Sequence, residues 1–202
     1  MLKTKLISLL CMVTLMAGKP IEIYQLGDKI KNFTLENVDG KMVSLSDYNT
    51  GNGVILIFDC NTCPYSKAYL ERIKLLHAKY ELKGYPVVAI NPNDPNRSPG
   101  DSHKKMVTYA KKNMYKHAYL QDVDQSVARA FGATNTPHVF VLQKKGNEMV
   151  LSYIGAIDNN TKDAALANKK YVEDAVDALL KGEKPVVTKT KAIGCTIKWK
   201  SV

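Results

Sequence analysis

Cysteine is scarce in this chain: four in 202 residues, too few and too unevenly spaced for a disulfide scaffold. A chain of this length can bury a core without such staples. No apolar run reaches the length of a membrane span. There is no internal repeat and no linker that would divide the chain. Nor is there an arginine-rich stripe or an alternation of basic and aromatic residues. The net charge of +10 therefore reads as a solvated lysine surface, and no nucleic-acid partner is expected. What is present, 45% hydrophobic and 24% charged residues, is the composition of an ordinary globular domain with additions.

The N-terminus has the layout of an export signal. Lys3 and Lys5 precede an apolar stretch from Leu6 to Ala17, and Ala17-Gly18 offers small residues for cleavage. The expected organisation is a signal peptide over 1–18, a domain over 19–184 and a basic tail over 185–202. The expected location is periplasmic or secreted, with membrane contact only through the signal if it stays uncleaved. Cleavage near Ala17 would remove Cys11 and leave Cys60, Cys63 and Cys195.

The hydrophobic pattern alternates strands and helices. Phe33-Thr34-Leu35 and Met42 to Leu45 flank Asp39-Gly40 and predict a hairpin. Val54 to Phe58 is continuously apolar, as a buried central strand is. Tyr65, Tyr69, Ile73, Leu76 and Tyr80 recur at helical spacing after Pro64, and Gly84 stops that helix. Val87 to Ile90 is the next strand, which predicts a crossover, a βαβ unit and a parallel pair. Further on come a helix over His103–Asn113, a strand at Ala118–Leu120 and a helix over Gln125–Phe131 capped by Asp124. A second hairpin joins His138–Leu142 to Met149–Ile154, and a last helix runs from about Thr161 to Lys181. Asn93, Asp94 and Asp101 read as part of a solvated loop rather than a cation site.

The chemistry is at Cys60 and Cys63. A C-x-x-C is either a redox dithiol or half of a zinc site. Zinc needs two more ligands. Cys195 stands alone, and His77, His103, His117 and His138 do not pair at ligand spacing, so no metal is expected. The pair instead follows a buried strand and opens a helix, where unsatisfied N–H groups favour a thiolate. Cys60, at an exposed lip, is the expected attacking sulfur. Cys63, in the first turn, is the expected resolving sulfur. Asp59 opposes the effect of the helix terminus, so a moderate depression of the thiol pKa is expected.

The order of strand, C-x-x-C-P, long helix, strand, helix, then Thr136-Pro137 before a strand resembles the thioredoxin fold. More narrowly, several pieces resemble the peroxiredoxin-like, CxxC-bearing branch of the alkyl hydroperoxide reductase/thiol-specific antioxidant family. They are Phe58 to Tyr65, Val88 to Asp94, Pro99 to Ser102, Thr136-Pro137, Tyr153 to Asp158 and Gly194 to Trp199. The resemblance spans roughly Gln25 to Trp199. It implies an α/β fold whose central mixed sheet is flanked by helices, with an N-terminal β-hairpin and a C-terminal tail. It also implies a cis bond before Pro137, facing the dithiol, and a Thr136 backbone open to pairing with a substrate chain. The Gly194-Cys195 segment belongs to the match, which makes Cys195 a possible additional resolving thiol; as a residue alone it reads as a spare thiol.

The implied activity is thiol–disulfide exchange on protein or small-molecule thiols, with a partner reductant and no bound cofactor. True peroxiredoxins carry P-x-x-x-T-x-x-C. Here Ile57 stands three residues before Cys60, and Cys60 stands three before Cys63. A thiol-dependent peroxidase is therefore an alternative rather than the first reading. A copper-binding chaperone of the same fold is another, since two thiolates and a histidine suit Cu(I); its relatives carry C-x-x-x-C. Oligomeric state is not legible.

Overall fold

The computed structural model describes residues 22–201. The expected signal segment and Cys11 lie outside the described residues. The predicted first hairpin is present: β1 (Thr34–Asn37) pairs antiparallel with β2 (Met42–Ser44). Gly40 turns the chain between them with φ at 82°, a left-handed conformation that suits glycine. The continuous apolar run becomes β3 (Gly53–Phe58), buried at every position. It crosses through α1 (Pro64–Tyr80) to the parallel strand β4 (Val87–Asn91). Then follow α2 (His103–Lys112), β5 (Ala118–Gln121), α3 (Ser126–Ala130) and a two-residue strand β6 (Asn135–Thr136). The second predicted hairpin is β7 (His138–Lys145) with β8 (Glu148–Gly155). The chain ends in α4 (Tyr171–Leu180) and β9 (Cys195–Thr196).

Seven strands form one mixed sheet in the order β2-β1-β5-β4-β3-β7-β8. Side chains alternate across a strand, and both faces of β3 are covered. Val54, Leu56 and Phe58 pack with Leu120, Phe131 and Phe140 on one side. Ile55 and Ile57 pack with Tyr69, Ile73 and Tyr80 of α1 and Val172 and Val176 of α4 on the other. This is the thioredoxin-like architecture that the family resemblance implies.

Two segments depart from the expected elements. The last helix begins at Tyr171 rather than near Thr161. Asn160 accepts from the backbone of Lys162 and Asp163, and Asp163 accepts from that of Ala165. Such local side-chain bonds compete with helix formation. The residues expected to be a basic tail are bound along much of their length. Ile154 donates to Thr188 at 3.0 Å and accepts from Thr190 at 2.9 Å. Beyond Cys195, Ile197 is buried in the core. Lys198 donates to Asn93 at 2.9 Å and accepts from Asp94 at 2.8 Å.

The sheet register also positions the site. Phe58 lies opposite His138 across β3 and β7. The residues just after β3 therefore meet those just before β7, outside the carboxyl ends of the parallel pair β3 and β4. Open α/β sheets commonly place their chemistry there.

Candidate redox site

Cys60 follows the end of β3, and Cys63 is the N-cap residue of α1 with Pro64 in its first turn. The structure joins Cys63 not to Cys60 but to Cys195, across a Cα–Cα distance of 5.8 Å. Cys60 is free and buried. β9 reaches this position by pairing antiparallel with β6, in a register that sets Cys195 opposite Thr136. Gly194 permits the approach: a Cβ there would run into the carbonyl of Thr136.

Thr136 lies against all three sulfur-bearing residues. Its hydroxyl is 3.2 Å from the Cys60 sulfur, and its carbonyl oxygen is 3.1 Å from that of Cys63. Its backbone pairs with Cys195, whose N–H points at the Cys63 sulfur from 3.3 Å. The Thr136–Pro137 peptide is cis, as the family resemblance implies. The five residues singled out from the sequence, Cys60, Cys63, Thr136, Pro137 and Cys195, thus converge.

The expected exposed lip is absent. Cys60 and Cys63 are each only 2% exposed, and Cys60 has the hydroxyls of Thr136 and Thr62 beside its sulfur. Its pKa also moves against expectation. Burial pushes the Cys60 thiol up, and the carboxylates of Asp101 and Asp59 push it further. The helix terminus favours charge locally, but the low-dielectric surroundings oppose it. Cys195 is partly exposed.

Asp101 organises the C-x-x-C loop and is fully buried. Oδ1 accepts from the Asn61 N–H at 2.8 Å and the Asn91 amide at 3.3 Å. Oδ2 accepts from the hydroxyls of Thr62 at 2.7 Å and Ser98 at 2.6 Å, and from the Asn93 amide at 2.9 Å. The Asn61 side chain is itself held, donating to Gly100 and accepting from Tyr119. The segment expected to be a solvated loop is therefore a buried polar clamp. Sequence reasoning missed it, although Pro99 to Ser102 lies among the pieces of the resemblance. Beside the clamp, Lys67, Lys105 and Lys112 line an open groove with Asn61 and Thr62.

Asp59 is the second buried carboxylate. Burial raises its pKa to about 6, Asp101 adds to the rise, and Ser66 and the Cys60 backbone counter it. Its Oδ1 has no hydrogen-bond partner. Between its unfolded value of 3.8 and about 6, the folded chain holds a proton that the unfolded chain has lost. Stability therefore falls as pH rises through that window. Asp59→Asn should remove roughly 2–3 kcal/mol of the fall, the equivalent of a shift of about two units. Urea titrations of both proteins at pH 4 and pH 7 read this difference; equal pH dependence would show that Asp59 is not the group responsible.

His138 does not join the sulfurs. Its ring stacks near Phe140, with centroids 4.5 Å apart, and its Nδ1 accepts from the Thr134 N–H at 3.4 Å. Among the described residues, no group of three or more His, Cys, Asp and Glu side chains is placed to hold a metal ion.

This arrangement can exchange disulfides: one bond is formed, and a free thiol sits against the same threonine. Known proteins share the arrangement's frame. The chain is 27% identical over 130 residues to the thiol-disulfide oxidoreductase ResA of Bacillus subtilis (strain 168), a match covering 64% of this chain and 67% of that one. A hypothetical protein of Sinorhizobium meliloti 1021 superposes with a TM-score of 0.81 at 30% identity, covering 89% of this chain and 97% of its own. An uncharacterised conserved protein of Geobacillus kaustophilus gives 0.81 at 32% identity, covering 89% and 95%. The model of the AhpC/TSA family matches residues 26–148, more than half of the sequence, and the chain belongs to that family.

Proposed function

We propose that the protein is an exported thiol–disulfide oxidoreductase that works on protein or small-molecule thiols through Cys60, Cys63 and Cys195, with electrons from a partner reductant. The observation that carries this reading is the Cys63–Cys195 disulfide set against Thr136, with the free thiol of Cys60 on the same residue. In reduction of this bond, a partner dithiol becomes a disulfide and Cys63 and Cys195 become thiols. Sulfur alone carries the two electrons, so no bound cofactor is required. Thr136 and Pro137 form the surface against which exchange occurs. The ResA relatives support the class of reaction. The N-terminal lysines and the apolar Leu6 to Ala17 support export. A peroxidase acting through Cys60 would need a ready thiolate there, and the raised pKa of Cys60 speaks against that form of the alternative.

Equilibration with glutathione tests the proposal. The wild-type disulfide should have a potential above about −300 mV, outside the range of structural disulfides. Cys195→Ser should show a different potential, because only Cys60 and Cys63 can then pair. A wild-type potential below that limit, with no reduction of a disulfide substrate, would overturn the catalytic reading. An identical potential in Cys195→Ser would remove Cys195 from the working set.

A further inference from the structure

We infer that the partner's thiolate attacks at Cys195 and that Cys63 is the leaving group, so the C-terminal strand acts as a built-in substrate covering the C-x-x-C motif. The inference rests on the oxidoreductase reading and assigns the order of its steps. It reverses the roles that the motif alone suggests, in which Cys60 meets the substrate first.

Three independent observations lead to it. The first is access. Cys60 and Cys63 are 2% exposed, whereas Cys195 is partly exposed, and exchange requires a thiolate to reach the sulfur it attacks.

The second is the backbone. The edge at Thr136, where the family resemblance implies a pairing substrate chain, is already taken by Cys195. The strand that takes it is held on both sides. Before it, Thr190 donates from its N–H to Ile154, and its hydroxyl oxygen accepts from the Ala156 N–H at 2.9 Å. After it, Ile197 is buried, and Gln125 donates to Lys198 at 3.0 Å and accepts from Lys200 at 2.8 Å. A visiting chain therefore cannot pair with Thr136 while β9 is in place.

The third is the leaving group. Cys63 caps a 17-residue helix, whose N-terminus favours negative charge. The Cys195 N–H also points at its sulfur from 3.3 Å. Cys195 sits at no helix terminus. Attack at Cys195 therefore releases the sulfur that sits at the helix N-terminus with a backbone N–H already aimed at it.

The partner thiolate forms a bond to the Cys195 sulfur. The Cys63–Cys195 bond breaks, and its electron pair stays on Cys63 as a thiolate. A second partner thiol then attacks the partner sulfur of the mixed disulfide and releases Cys195. The partner leaves as a disulfide, and its two protons pass to Cys63 and Cys195. Cys60 takes no part in this contact and remains an internal thiol.

The test uses the full chain, oxidised, and reduced glutathione as the probe. Short reaction times are quenched with N-ethylmaleimide, and the peptides carrying Cys63 and Cys195 are mapped by mass spectrometry. Cys60→Ser excludes rearrangement through the internal thiol; the wild-type chain at the earliest times gives a second reading if that variant folds poorly. Glutathione should appear on Cys195 and maleimide on Cys63, in at least about tenfold excess over the converse, as a partly buried helix-terminus effect of the upper measured size would give. Glutathione chiefly on Cys63, or equally on both, would overturn the inference and leave the oxidoreductase reading standing. A disulfide that stays closed, with no adduct on either residue, would overturn the oxidoreductase reading itself.

Discussion

Cys63→Ser should reduce disulfide exchange to the uncatalysed background. Cys63 is the one sulfur shared by both pairings open to this site: it is bonded to Cys195 in the structure, and it is the partner of Cys60 in the C-x-x-C motif. Cys60→Ser and Cys195→Ser each leave one pairing possible, so each should retain some exchange. The substituted helix should still form, because serine is a favoured N-cap residue whose oxygen can accept from the first turn. The measurement is reduction of a disulfide substrate with dithiothreitol as donor, alongside circular dichroism. A folded Cys63→Ser protein that keeps the wild-type rate would remove Cys63 from the chemistry and leave the proposed function without its central atom.

The second large effect is expected at Asp101, which never touches the sulfurs. Asp101→Ala should lower the unfolding free energy by about 3 kcal/mol or more, since hydrogen bonds to a charged group contribute roughly 1.5–3 kcal/mol each and buried donors would lose their acceptor. The five donors come from three segments: Asn61 and Thr62 in the C-x-x-C loop, Asn91 and Asn93 at and after the end of β4, and Ser98 in the loop before Asp101. Asp101→Asn should not rescue the protein, because its amide would turn donors toward Thr62, Ser98 or Asn93. Urea unfolding reads the stability, and the rate at which the Cys63–Cys195 bond re-forms after reduction reads the positioning of the loop. A loss below about 1 kcal/mol, the size of an ordinary exposed contact, would mean that the clamp does not hold the loop.

The two effects also show what local sequence can and cannot convey. Val54 to Phe58 reads as a buried strand because each of its residues is apolar, and both faces of β3 are in fact packed. Pro64, the spaced tyrosines and Gly84 delimit α1 because helix boundaries are written in neighbouring residues. Thr136-Pro137 beside the dithiol was legible through resemblance. The Cys63–Cys195 bond was not, because it depends on a two-residue strand with no periodicity, brought to Thr136 by contacts with Ile154, Asn93 and Gln125. The burial of Asp101 is hidden for a related reason. Asn, Pro and Asp are loop formers, and their composition does not tell a solvated loop from one whose carboxylate is enclosed by the fold. The pKa of Cys60 followed the same pattern, since the helix terminus is a local feature and burial beside Asp101 is not. The shortened last helix is different: Asn160 and Asp163 are local signals whose side-chain bonds to the following backbone compete with the helix that the apolar spacing suggests.

The Cys63–Cys195 bond joins residues 132 positions apart. In a chain-entropy account, closing a loop of that length costs the unfolded polymer about 5 kcal/mol of freedom. Oxidised, most of the domain is therefore a ring; reduced, it is an open line. In the proposed cycle, each round of exchange through this bond converts one polymer into the other. Resistance to unfolding then follows the thiol–disulfide balance of the surroundings. The protein is hardest to unfold where oxidants prevail, and most exposed to unfolding in the interval after it has accepted electrons.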